Sequence, residues 1–191
     1  MRHPLILDLE TQYTFREFSD PKKLAVSVVG IYDYADRQYK TYMRHELSQL
    51  FPLLEHASCI IGFNIVSFDL AVLQGHYPGH VSQFKTFDLL DDIKKRLGRR
   101  LALNDLVFAT LGKRKSGHGL QAIELFKEGR LNELKKYCLD DVSLTKELYE
   151  YGITHKEIFY LHGMTKQKIP VDWKMPREEN NGGGVSLTLP F

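Results

Sequence analysis

Leu5-Ile6-Leu7-Asp8-Leu9-Glu10-Thr11 sets two carboxylates into an otherwise apolar run. Leu5–Leu9 reads as a short buried strand. Strand side chains alternate between faces, so Asp8 and Glu10, two residues apart, share one side. Burying unpaired carboxylates costs roughly several kcal/mol unless a cation compensates. A hard divalent ion such as Mg²⁺ or Mn²⁺ prefers such oxygen ligands. A second reading stays open at this point: a strand end where both acids already stand in solvent.

Working outward, Leu24–Tyr32 (LAVSVVGIY) is β-branched and predicts a second strand, and Gln38–Met43 alternates like a half-exposed third. Glu46–His56 has helical spacing with Pro52 inside it. Ser58–Phe63 is another buried strand, Phe68–His76 is helical, and Phe84–Phe87 is a short strand. Asp88 then caps a helix running to about Leu97. Leu103–Leu111, Gly119–Phe126 and Arg130–Tyr151 are further helices. Three strands, a helix, a strand, a helix and a strand, then helices, predict an α/β fold: a mixed five-stranded sheet flanked by helices.

Three further segments carry chemistry. Asp69 follows the fourth strand through a loop containing Asn64, at the first turn of a helix, where an acid is also favoured for capping and dipole reasons. Asn64 is explicable as a turn former. Tyr137 and Asp141 lie at i and i+4, on one helix face. A tyrosine beside a ligating carboxylate can orient a water through its hydroxyl, while its ordinary pKa of about 10 argues against a full base at neutral pH.

In this order and on these element types, the segments resemble the DEDD 3′–5′ exonucleases of the ribonuclease H-like superfamily, in their tyrosine branch. Within that branch they are similar to the proofreading exonuclease domain of family B DNA polymerases and its stand-alone relatives. Asp8-Leu9-Glu10 matches the first motif, Asn64–Asp69 the Asn-x-x-x-Phe-Asp motif, and Tyr137–Asp141 the Tyr-x-x-x-Asp motif. The sister branch carries a histidine where this chain has Lys136. The resemblance covers roughly residues 4 to 152.

The resemblance implies a ribonuclease H-like fold and metal-dependent 3′–5′ hydrolysis of single-stranded nucleic acid, DNA favoured, with two Mg²⁺ or Mn²⁺ ions. Asp8 would bridge both ions, Glu10 and Asp141 would complete the site of the water-activating ion, and Asp69 would hold the second. Tyr137 would position the water. Leu9 and Thr11 would approach the terminal nucleotide. Asn64 belongs to the same substrate margin, and Phe68 would stack on a base or serve as core. Lys113, Arg114 and Lys115 would hold the backbone. A binding module that kept the fold and lost catalysis, and an endonuclease on the same fold, are the alternatives.

Composition limits the rest. The 191 residues suit one domain, and the net charge of +2 says little about partners. Between Lys94 and Lys115, however, eight Lys/Arg face one acid, Asp105, an imbalance that attracts phosphate unless it is only a solvated helix face. Cys59 and Cys138 sit in apolar segments and read as core. With no apolar run long enough for a span and no leader-like N-terminus, a cytoplasmic location is expected. Residues 1–170 are expected to form the domain and 171–191 a flexible tail. At its end, Ser186-Leu187-Thr188-Leu189-Pro190-Phe191 resembles the short peptide by which bacterial replication proteins grip the sliding clamp, with serine in place of glutamine and phenylalanine in place of the last leucine.

Overall fold

The computed structural model describes residues 2–115, 117 and 120–176. The clamp-peptide expectation at Ser186–Phe191 lies outside them. Five strands form one sheet: β1 (Leu5–Thr11), β2 (Val26–Asp33), β3 (Gln38–Met43), β4 (Ile60–Gly62) and β5 (Thr86–Asp88), in the order β3-β2-β1-β4-β5. β1, β2 and β3 pair antiparallel, while β4 runs parallel to both β1 and β5. The mixed five-stranded α/β sheet expected from the sequence is the one found.

The pleat of β1 divides the core. Leu5, Leu7 and Leu9 face a cluster built with α1 (Leu47–His56) and α2 (Asp69–Leu73). Ile6 points the other way, into a cluster that includes Val142 and Leu148 of α6 (Leu131–His155). Asp8 and Glu10 continue the Ile6 face, so they stand on the side that α6 covers. α6 reaches the sheet closely because Gly30, the register partner of Asp8, has no side chain. A Cβ at Gly30 would meet Cys138 Sγ at 2.8 Å and Val142 at 3.0 Å. That close approach brings the Tyr137–Asp141 turn down onto the middle of β1.

The remaining helices are α3 (Leu89–Leu97), α4 (Leu103–Leu111) and α5 (Gln121–Lys127). α3 starts on the Asp88 side chain, which accepts the N–H groups of Leu90 and Asp91, as its capping position predicts. No helix of the described residues is long and apolar enough to cross a membrane.

Two expectations need correction. The last helix does not end at Tyr151 but runs to His155, and an unforeseen hairpin follows: β6 (Glu157–His162) and β7 (Thr165–Pro170). A lone hairpin is marginal in water, and this one is anchored by Ile158 and Ile169, register partners buried in the Ile6 cluster. The segment from residue 171 is also not tail at its start. Val171 and Trp173 are buried in the same cluster, so packing against the domain continues to Trp173.

Candidate active site

The three distant segments do converge. One carboxylate oxygen from each of Asp8, Glu10 and Asp141 lies within 4.8 Å of the others. Asp8 and Glu10 are half-buried and Asp141 is buried. Asp69 adjoins this trio instead of sharing it. Its side chain is 2% exposed, and its Oδ1 accepts the backbone N–H of Leu9 at 2.9 Å, between the two β1 acids. Thus Asp69 both adds negative charge beside Asp8 and fixes the strand that carries it.

Such crowding shifts proton affinities. Burial, then repulsion from Asp69, Asp141 and Glu10, holds the Asp8 carboxyl well above the usual range. Burial and Asp141 push Glu10 up to about 8. Burial pushes Asp69 up to about 7, against the opposing pull of the N–H groups it accepts. Asp141 is raised as well, by burial first, although Lys115 pulls it down. Four acids raised together form a site short of positive charge. The donor set is all oxygen, the set that Mg²⁺ and Mn²⁺ take and softer metals do not. The residues therefore fit a hard divalent cation.

Lys115 supplies part of the missing charge. Its Nζ lies 2.6 Å from Asp141 Oδ2. Burial alone would lower this ammonium, but Asp141 and Asp8 outweigh it and the group stays firmly charged. The sequence reading places Lys113, Arg114 and Lys115 together as backbone holders, and the structure separates them. Lys113 pairs with Glu147 at 2.5 Å, the Arg114 guanidinium lies 4.2 Å over the Phe108 ring, and Lys115 turns inward to the acids. No periodicity links Lys115 to Asp141 across the intervening turn and helix, so the pairing had no signal in the sequence.

Tyr137 is buried on the α6 face one turn before Asp141. Burial, with the acids and against Lys115, pushes its phenol up to about 12, so it keeps its proton at neutral pH. Cys138 packs under the site with Sγ 3.6 Å from the Asp8 carbonyl oxygen, and burial raises its thiol far above the usual value. It is a structural thiol, as its apolar setting suggests.

The substrate margin is more ordered than the sequence implies. Asn64 sits at φ +67°, the left-handed region that asparagine tolerates. Asp88 accepts the N–H groups of Asn64 at 2.9 Å and Val66 at 3.0 Å, besides capping α3. Asp88 therefore fixes the loop leading to Asp69, a task its capping position did not reveal. Arg100 donates to Asn64 Oδ1 at 2.7 Å. Phe68 is half-buried against the α1/α2 cluster and lies 5.8 Å from the exposed ring of Phe15. Thr11 is buried and its hydroxyl donates to the Tyr13 carbonyl at 2.8 Å, while the Leu9 N–H is taken by Asp69.

Residues 5–153, most of the chain, match the family described as RNase H superfamily. The chain belongs to the RNase H superfamily. Among solved structures, the fold is similar to that of the family B DNA polymerase from the hyperthermophilic archaeon Pyrobaculum calidifontis. The TM-score is 0.60 at 17% identity, over 80% of this chain and 25% of the polymerase. This member of the superfamily thus spans about a quarter of that polymerase's length. A second match is E. coli exonuclease I in complex with a dA16 oligonucleotide, with a TM-score of 0.45 at 14% identity, over 81% of this chain and 41% of that one. No curated protein matches the chain significantly.

The raised acids carry a testable sign. An acid whose pKa is higher in the fold than in the unfolded chain contributes stability that is full below the ordinary carboxylate range and is lost as pH rises through the folded value. With chelator present, stability should therefore fall between about pH 5 and 8.5, through the region where Asp69 (about 7) and Glu10 (about 8) ionise. Solvent screens the half-buried Glu10, so its share is on the order of 1–2 kcal/mol, a few degrees in Tm. Glu10→Gln should flatten that fall, and added Mg²⁺ should raise Tm at pH 8.5 more than at pH 5.5. Melting curves that are equally steep with pH in Glu10→Gln would contradict the assignment.

Proposed function

We propose that the chain is a divalent-metal-dependent 3′–5′ exonuclease on single-stranded nucleic acid, with DNA favoured. The observation that carries this is the meeting of Asp8, Glu10 and Asp141 oxygens within 4.8 Å, with Asp69 beside them. Membership of the RNase H superfamily and the likeness of the three motifs to the tyrosine-type exonucleases support it.

In this reading Asp8, Glu10 and Asp141 would hold Mg²⁺ or Mn²⁺, and Asp69 would complete the set for a second ion. Bound there, the ions supply an acidified water and stabilise negative charge on the reacting phosphate and the leaving oxygen. Asp69 keeps the β1 acids in register by holding the Leu9 N–H. Tyr137, protonated, orients the attacking water by a hydrogen bond. Lys115 offsets the charge of Asp141 and, more weakly, of the β1 acids. Asn64 and Phe68 line the approach of the terminal nucleotide, where the half-buried Phe68 ring can stack on a base.

A single strand labelled at either end, with the other end blocked or free, tests the polarity. With Mg²⁺ or Mn²⁺ the products should shorten from the 3′ end, and chelator should stop them. Cleavage with both ends blocked would mean an endonuclease, and binding without cleavage would mean a module that has lost catalysis. Running the assay on DNA and RNA fixes the sugar preference. Tyr137→Phe removes one positioning hydrogen bond of about 1–2 kcal/mol, so kcat should fall roughly tenfold with KM little changed. An unaffected kcat would remove Tyr137 from the mechanism.

A further inference from the structure

The β6–β7 hairpin lies beyond residues 5–153, so membership of the superfamily does not account for it. Its inner face is explained by Ile158 and Ile169, which are core, with Tyr160 packed against them. Its outer face is not explained. Phe159 and Leu161 on β6 face Lys168 and Lys166 on β7 in register, and alternation puts all four on the side away from the core. Leu161 is 41% exposed and Phe159 half-buried, with Lys166 Nζ 4.1 Å above the Phe159 ring.

Beside the hairpin, the Arg99 guanidinium lies 5.0 Å over the Tyr160 ring. Its neighbour Arg100 reaches Asn64, on the margin of the acidic site. Lys168 is partly offset by Glu157 at 3.0 Å. Among the described residues, no carboxylate pairs with Arg99, Arg100 or Lys166. A cation resting on a ring keeps its charge available to an outside anion, and the ring edge and the adjoining leucine remain available to a flat apolar group. A lone phosphate would use only the first and an apolar peptide only the second. A nucleic-acid strand presents both, at each nucleotide.

The hairpin is also tied to the helix whose trailing loop leads to the site. The Thr110 hydroxyl of α4 accepts the Phe159 N–H at 2.9 Å and donates to the Phe159 carbonyl at 3.1 Å. The loop leaving α4 then delivers Lys115 to Asp141. We propose that the hairpin, with Lys166, Phe159 and Leu161 on its outer face and Arg99 over the Tyr160 ring at its side, binds single-stranded nucleic acid several nucleotides away from the end held at the acids. The proposal rests on the nuclease reading in taking a single strand as the ligand.

Equilibrium binding of fluorescent single strands in chelator tests it without requiring cleavage. The probes are a strand of about 20 nucleotides, longer than one binding site, and one of about 4. The full chain should bind the long strand at least about tenfold more tightly. Arg99→Ala/Lys166→Ala, both changes on exposed side chains, should erase most of that advantage and leave the short strand unaffected. Its salt dependence should flatten by roughly 1–1.5 in log–log slope, the value for two lost phosphate contacts. Lys166→Glu alone should act in the same direction. Equal affinity of wild type for both lengths, or a double variant that melts and binds like wild type, overturns the proposal. Shortening of the same strands on adding Mg²⁺ is scored separately, so loss of the nuclease reading and loss of this surface give different results.

Discussion

Asp8→Asn is expected to abolish nearly all hydrolysis while making the metal-free protein more stable. The two effects have one cause. Asp8 stands among Asp69, Asp141 and Glu10, and its charge is disfavoured by burial and by all three neighbours. Among the described residues nothing compensates fully, since Lys115 is committed chiefly to Asp141. Asparagine keeps the size and polarity of the side chain and removes the charge, so repulsion falls and Tm in chelator should rise by a few degrees at pH 8. The same removal deprives the proposed cations of their central oxygen ligand. Metal stabilisation of phosphoryl charge contributes several kcal/mol, and losing about 4 kcal/mol lowers the rate about 10³-fold. Asp8 tests this more cleanly than its neighbours. Asp141→Asn would strand the Lys115 ammonium, and Asp69→Ala would leave the Leu9 N–H without its acceptor. Melting with chelator and strand-shortening with Mg²⁺, on one preparation, give the answer. An active Asp8→Asn protein would end the metal-site reading, and an inactive but destabilised one would show that Asp8 serves the fold.

How far the sequence revealed this arrangement depended on whether a signal was local. β1 was legible because its apolar and acidic positions alternate, and the i, i+4 spacing of Tyr137 and Asp141 placed both on one helix face. The depth of α6 on the sheet was not legible. It rests on Gly30 lying opposite Asp8, a contact between the second strand and the sixth helix. Asp88 read correctly as a cap, yet its hold on the Asn64 loop depends on β4 and β5 being neighbours, which only the fold reveals. Lys115 read as one of three cations holding the nucleic-acid backbone because nothing periodic ties it to α6. The hairpin did leave a local trace, a β-branched and aromatic run Ile158-Phe159-Tyr160 followed by Gly163 in the left-handed turn. It was obscured by ending the preceding helix too early, at Tyr151.

α6 runs on to His155 through Gly152. Any Cβ there would collide with the Trp173 ring, so a glycine inside α6 makes room for the indole. Trp173 is 2% exposed and packs with Tyr149 and Phe87 at 6.0 and 6.1 Å between ring centres. Its Nε1 donates to Asp92 at 2.7 Å on α3, and its carbonyl accepts from Lys156 at 2.9 Å. Tyr149 in turn donates to the Lys174 carbonyl at 2.6 Å. One residue thus ties α3, α6 and the strand edge together from a segment that composition alone marks as tail. Trp173→Ala should cost about 3–5 kcal/mol, the range for a buried large aromatic, and lower Tm by roughly 10 °C. Gly152→Ala, which forces the indole out, should lose a comparable amount. Trp173 is the chain's single tryptophan, so its emission reports its own burial. The native spectrum should be blue-shifted and should redden in the same transition that removes the helical circular dichroism. Emission typical of water in the native protein, or a Trp173→Ala cost below about 1 kcal/mol, would return residues 171–176 to the tail and leave the Gly152 contact without energetic meaning.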